Sequence, residues 1–207
     1  MFGFYRGILL TFVAAVVAIG CADNADRLDL RVGLFFTEDT QSLIVPHNLR
    51  HNSFMNVNYD LRAGKDTVSA LARATRRVFT AVEVLDSCPM KEAIAGKRLD
   101  LAVIVQVIPR GGSFGYQGSG FQNSSDASNS LSAEMTCSDS DMVEIASISA
   151  SGKGNATAKG ILFDSKRRAF VNSVKAAIRN LEDDVVLQMS TNPEIRKMVE
   201  KMIRKSL

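Results

Sequence analysis

From residue 30 onward the apolar positions of this chain fall into runs with two distinct periods. Leu30, Val32, Leu34 and Phe36 are spaced two apart around Arg31 and Gly33, the period of a strand with one buried face. Thr37-Glu38-Asp39-Thr40 reads as a turn, 42–45 as a short strand stopped by Pro46, and 47–53 as a polar loop. FMNVNYDL, with Phe54, Val57 and Tyr59, reads as a second strand. After Gly64 the period becomes helical. Val68, Leu71, Ala72, Thr75, Val78 and Phe79 share a face, with Asp66 or Thr67 as the cap and Arg73, Arg76 and Arg77 pointing elsewhere. AVEVLD is a strand, Cys88-Pro89 opens a short helix that Gly96 stops, and LDLAVIVQVI is apolar enough for a central strand covered on both faces, ended by Pro109.

The Gly/Ser/Asn-rich segment 110–130 reads as a flexible loop or a long hairpin tip. Leu131, Ala133, Met135 and Cys137 alternate with polar residues, and MVEIASISASGKG follows a polar turn, so these two runs predict an antiparallel hairpin. GKGNATAKG reads as a second Gly-rich, mobile stretch after it. From Asp164 or Ser165 a long helix carries Phe170, Val174, Ala177, Ile178, Leu181 and Val185 as one stripe. Asn192-Pro193 breaks it. In the last helix Ile195, Met198, Val199, Met202 and Ile203 oppose Arg196, Lys197, Lys201, Arg204 and Lys205. This order predicts an α/β (α+β) fold: one mixed sheet of about five strands with helices packed on one face, spanning 29–190, followed by an amphipathic helix over 191–207.

The front of the chain differs in kind. Arg6 precedes an apolar run from Gly7 to Gly20, too short for a hydrocarbon core that needs about 20 residues, and with the size and small-residue exit of a secretory signal peptide over 1–20. The exit, Ala18-Ile19-Gly20-Cys21, resembles the lipobox of bacterial lipoproteins. The resemblance implies a diacylglycerol on the Cys21 thiol, cleavage before it, and a lipidated tether over 21–28. The other reading is an ordinary leader with Cys21 a plain thiol. By the same resemblance, Ala22 directly after the cysteine favours the periplasmic face of the outer membrane, while Asp23 one place later argues the other way.

Export changes the reading of the cysteines. Cys88 and Cys137 are a candidate disulfide pair in an oxidising compartment, and closing a loop of about 50 residues would stabilise by up to about 4 kcal/mol on the chain-entropy model. Two separate buried thiols are the alternative. Composition, at 46% hydrophobic and 23% charged, is that of a globular domain, and a net charge of +3 gives no argument for nucleic acid.

Chemistry is sparse. His47 and His51 are four apart in a loop-like stretch with no Glu between them, so no metal site is expected. GGSFGYQGSG lacks the helix N-terminus and Lys-Ser/Thr pair that phosphate loops use. Glu182, Asp183 and Asp184 splay around a helix and read as a solvated face. No catalytic residues and no cofactor are expected. Candidate partner-binding residues are Phe114, Tyr116 and Phe121, aromatics among glycines, and Met198 and Met202, an adaptable apolar surface.

Beyond the leader, AVEVLD, the strand bearing Asp100, Val103 and Val107, the hairpin with its Gly-rich turn and the helix AFVNSVKAAI resemble the layout of small bacterial envelope lipoproteins. Activators of penicillin-binding proteins and curli-secretion lipoproteins are of this kind. The resemblance runs from Leu28 to Met189 and carries no functional residue across. It implies a non-enzymatic, lipid-anchored accessory or scaffold protein of an envelope complex. A periplasmic carrier of a lipid or other apolar ligand is the alternative.

Overall fold

Strand β1 (Leu28–Phe36) forms where the alternation is cleanest: Leu30, Val32, Leu34 and Phe36 are buried and Arg31 is exposed. The computed structural model describes residues 27–51, 55–119, 122–160 and 162–206. Where β1 ends, the short helix α1 (Glu38–Gln41) takes over its pairing. The buried Thr40 hydroxyl donates to the Val105 carbonyl (3.3 Å) and accepts from the Val107 amide (2.8 Å). Strands β2 (Ile44–His51) and β3 (Met55–Arg62) form a separate antiparallel ribbon. β2 therefore runs through Pro46 and into the stretch expected to be a loop. Each strand of a two-stranded ribbon is an edge, where a missing N–H is tolerated.

Helix α2 (Gly64–Val78) starts at Gly64, ahead of the expected cap, and Gly64 lies against the Gln41 carbonyl with no room for a side chain. It leads directly into β4 (Phe79–Val84). Then come α3 (Lys91–Lys97), β5 (Leu101–Ser119), β6 (Gln122–Asp139), β7 (Glu144–Gly160), α4 (Leu162–Thr191) and α5 (Pro193–Ser206). The main sheet has five strands in the order β4-β1-β5-β6-β7. β1 is parallel to both neighbours, with Val32 opposite Val82 and Leu101, while β5, β6 and β7 form an antiparallel meander. The expected fold is the one formed: a mixed α/β sheet of five strands with the two long helices, α2 and α4, on one face.

Among the described residues, the opposite face is covered at its parallel edge. There α3 seals a small cluster of Phe35, Leu85, Ile94, Leu99 and Ala102. Gly33 makes that seal possible, since a Cβ on it would fall 2.7 Å from Leu99 Cδ1.

Segment 110–130 takes the hairpin alternative. β5 and β6 pair without a break in element from Leu101↔Asp139 to Ser119↔Gln122, and β7 follows β6 out to Asn123↔Gly160. Pro109 does not end β5. The register shifts between Pro109 and Gly111, leaving Arg110 as an extra residue, and Gly111 takes φ +101°. A bulge with glycine in a left-handed conformation absorbs the residue that cannot donate. The GKGNATAKG stretch is the outer half of β7.

These directions give the molecule two ends. Leu28, Leu101, Asp139 and Glu144 mark the base, where β1, β5 and β7 start and β6 finishes. Gly160 lies at the far tip, and α4, about 45 Å long at 1.5 Å per residue, runs back down to the base. There α5 begins.

Candidate functional site

A cleft lies at the base, between α5 and the β6–β7 turn. Its volume is about 610 Å³. Asn192 sets the start of α5: its Oδ1 accepts from the Glu194 amide (3.0 Å) and the Ile195 amide (3.1 Å), and Pro193 occupies the first helical position. Ile195 is fully buried in the core, with Met198, Val199 and Met202 packed beside it. The facing side of α5 is exposed at Arg196, Lys197, Glu200, Lys201 and Arg204, and Ile203 at its flank is 53% exposed.

The other wall is built from short-range hydrogen bonds. Asp139 Oδ1 accepts from the amides of Asp141 (2.9 Å) and Val143 (3.0 Å), closing a turn in which Met142 takes φ +63°. Asp100 ties β1 to β5: its Oδ2 accepts from the Arg31 amide (2.8 Å) and its own amide donates to the Arg31 carbonyl (2.8 Å). Lys91 pairs with Asp141 at 2.8 Å. The hydrogen bond and the attraction of that ammonium hold the Asp141 carboxyl below the usual range, and Lys91 is raised in turn. Lys197 pairs with Glu194 at 2.8 Å. The cleft thus joins an apolar floor of Ile145, Met198 and Met202 to carboxylates that hold backbone, Asp100 and Asp139, or pair with lysines, Asp141 and Glu194. Among the described residues no group of three or more His, Cys, Asp or Glu could hold a metal ion.

Among the described residues, the candidate partner-binding positions Phe114, Met198 and Met202 do not form one surface. Met198 and Met202 are together at the cleft, half-buried against the core. Phe114 is on the outer half of β5, roughly 40 Å from Leu101 at about 3.3 Å per residue. Phe114 is half-buried, and Lys166 Nζ stands 5.7 Å from its ring centroid, a cation–π distance. Burial pushes the Lys166 ammonium down. Tyr116 lies within β5, while Phe121 and Cys21 lie outside the described residues. His47 and His51 are on β2.

The disulfide expectation is corrected: both cysteines are free thiols. Cys137 points from β6 into the main core at 0% exposure, whereas Cys88 is exposed in the connection after β4. Burial, with a smaller contribution from Glu144, pushes the Cys137 thiol up to about 12.

The acidic run on α4 does more than face solvent. Glu182 pairs with Arg73 (2.8 Å), Asp183 with Arg77 (3.0 Å), and Asp184 Oδ2 accepts from the Ser151 amide (2.7 Å), joining α4 to α2 and β7. Two buried polar contacts also escaped sequence reasoning: Asn129 Nδ2 donates to Ser173 Oγ (2.6 Å), and Ser125 Oγ lies 3.0 Å from Ser165 Oγ. The signal for both was present only as polar residues on the inward parity of a strand and a helix.

No protein-family model matches this chain, and no curated protein matches it. Among solved structures, it is similar to a minor lipoprotein from Acinetobacter baumannii at 10% identity, covering 78% of this chain and 93% of that one with a TM-score of 0.36. A candidate lipoprotein from Caulobacter crescentus CB15 is 8% identical over 71% of this chain and 88% of that one, with a TM-score of 0.37. A candidate neuraminyllactose-binding hemagglutinin homolog from Helicobacter pylori is 9% identical over 85% and 95%, with a TM-score of 0.42. None of them transfers a functional residue to this chain.

Proposed function

We propose that this chain is a lipid-anchored envelope protein, fastened through Cys21 to the periplasmic face of the outer membrane. There it serves an envelope assembly, secretion or transport complex by protein contact and not by catalysis. One observation carries the reading: the leader ends in Ala18-Ile19-Gly20-Cys21, and the first strand begins at Leu28, only a few residues later. Seven residues span at most about 25 Å when extended, so an anchored Cys21 keeps the domain at the bilayer surface. Two or more acyl chains hold a protein stably there. Among the described residues no helix is long and apolar enough to cross a membrane, so the proposed attachment rests on the lipid.

Contact is favoured over carriage of an apolar ligand by how α4 meets the sheet. At Gly152 and Gly154 the backbones of β7 and α4 approach so closely that even a methyl group would strike the Ala177 or Ser173 carbonyl, which leaves no ligand space at that part of the layer.

Labelling with palmitate tests the anchor: wild type should incorporate it and Cys21→Ser should not, with the variant passing to the soluble fraction. A wild-type protein released at another bond, without lipid, would remove the proposal. Crosslinking in intact cells tests the role, and recovery of the monomer alone would count against it.

A further inference from the structure

Resting on the Cys21 anchor just proposed, we infer that α5 is a second, electrostatic membrane contact: its basic face lies on anionic lipid headgroups and stands the domain base-down on the bilayer. Three independent features converge on the base. The chain reaches the anchor from there, because β1 starts at Leu28 beyond the first residue of β5, and Asp100 clamps Arg31 at that point. α4 delivers α5 to the same end, where α5 lies beside β1 and β7. The exposed face of α5 is predominantly cationic, with Arg196, Lys197, Lys201 and Arg204 against Glu200 and the Lys197-paired Glu194.

Geometry and charge choose the occupant. A tether of at most about 25 Å leaves little freedom for the base to leave the surface. Each Lys or Arg near an anionic surface is attracted within about a Debye length, about 8 Å at physiological salt. Ile203, half exposed beside Arg204, supplies the apolar residue that amphipathic surface helices place at the headgroup boundary. The inner face of α5 is already spent on the protein's own core through Ile195, Met198, Val199 and Met202, so the contact is one of charge with a shallow apolar edge and not insertion of the whole helix.

The chain has no tryptophan, which makes the test clean. The full lipidated protein carrying Ile203→Trp, and separately Ser113→Trp on the outer half of β5, is reconstituted into vesicles of phosphatidylcholine alone or doped with phosphatidylglycerol. Each preparation contains a headgroup spin-labelled quencher. In phosphatidylglycerol vesicles the α5 tryptophan should be quenched at least about twofold more than the β5 one, and the difference should collapse in about 1 M salt, where the Debye length is about 3 Å. It should also collapse when Arg196, Lys197, Lys201 and Arg204 are all changed to Gln, with circular dichroism showing α5 still folded. Equal quenching at the two positions, in protein that still floats with the vesicles, overturns the inference and leaves the anchor standing. So does crosslinking of α5 to an envelope protein while its tryptophan stays unquenched. Protein that lacks the diacyl mass and does not float overturns the anchor itself.

Discussion

One helix, α4, packs on the sheet in two different ways. Toward the base, Leu181, Val185 and Met189 join a cluster of Leu30, Val32, Leu101, Met135 and Ile148, held by the area those side chains remove from water. Toward the tip, the same helix meets Ser125, Ala127, Asn129, Gly152 and Gly154. Little apolar area is available there. The outer half instead uses close backbone approach and two buried polar contacts, Asn129–Ser173 and Ser125–Ser165. The base therefore resists loss of volume poorly, and the tip resists its gain poorly.

The widest expected contrast is chemical and probes the seal of the base. Exposed Cys88 should react with a thiol reagent in the folded protein, while Cys137 should react only when the protein unfolds, because burial holds its thiol protonated up to about 12. The sign for stability follows from linkage. Above pH of about 9 the unfolded thiol loses its proton and the folded one keeps it, so Cys137 makes stability fall as pH rises from about 9 toward about 12. A Cys137→Ala variant should lose that part of the alkaline slope in urea titrations, and equal labelling of both thiols in native protein would break the comparison.

Leu101→Ala, at a fully buried base position, should cost about 2–5 kcal/mol in urea unfolding. Gly154→Val should cost about 3 kcal/mol, since the added Cβ meets the Ser173 carbonyl and the Ala177 amide, which are backbone and cannot swing away. A tip that accepted valine there at no cost would mean that α4 stands off from β7. Asn129→Ala should cost about 1–3 kcal/mol, because it strands a buried polar environment around Ser173. Arg73→Ala should have the smallest effect. Its bond to Glu182 joins an exposed guanidinium, and any change should shrink further in salt.

The legibility of the sequence follows the same division. β1, the start of β5 and the stripe of α4 could be read because large apolar side chains recur with the period of the element that buries them. The outer halves of β5, β6 and β7 could not, since Gly, Ser, Ala and Asn carry almost no hydrophobic signal whether they pair or not. Pro109 and Pro46 each lack an N–H and locally signal a strand end, but a bulge at Arg110 and a ribbon with two edges each removed the need for that donor. At the candidate site, the amphipathic face of α5 was legible from its spacing. The cleft beside it was not, because Asp100 and Asp139 come from elements far apart in the chain.

What the sequence determined by itself is the set of elements with a strong apolar period and the class of fold they build, besides an apolar run over 7–20 that ends at Cys21. These depend on local spacing and on side-chain burial, which a chain records position by position. The tertiary structure alone decided that a glycine-rich segment would become the outer halves of β5 and β6. It also decided that two cysteines would stay apart on the core and on the surface, and that the first strand and the last helix would share one end. Those outcomes depend on which backbones come within hydrogen-bonding reach, a property of pairs of distant segments that no single segment carries.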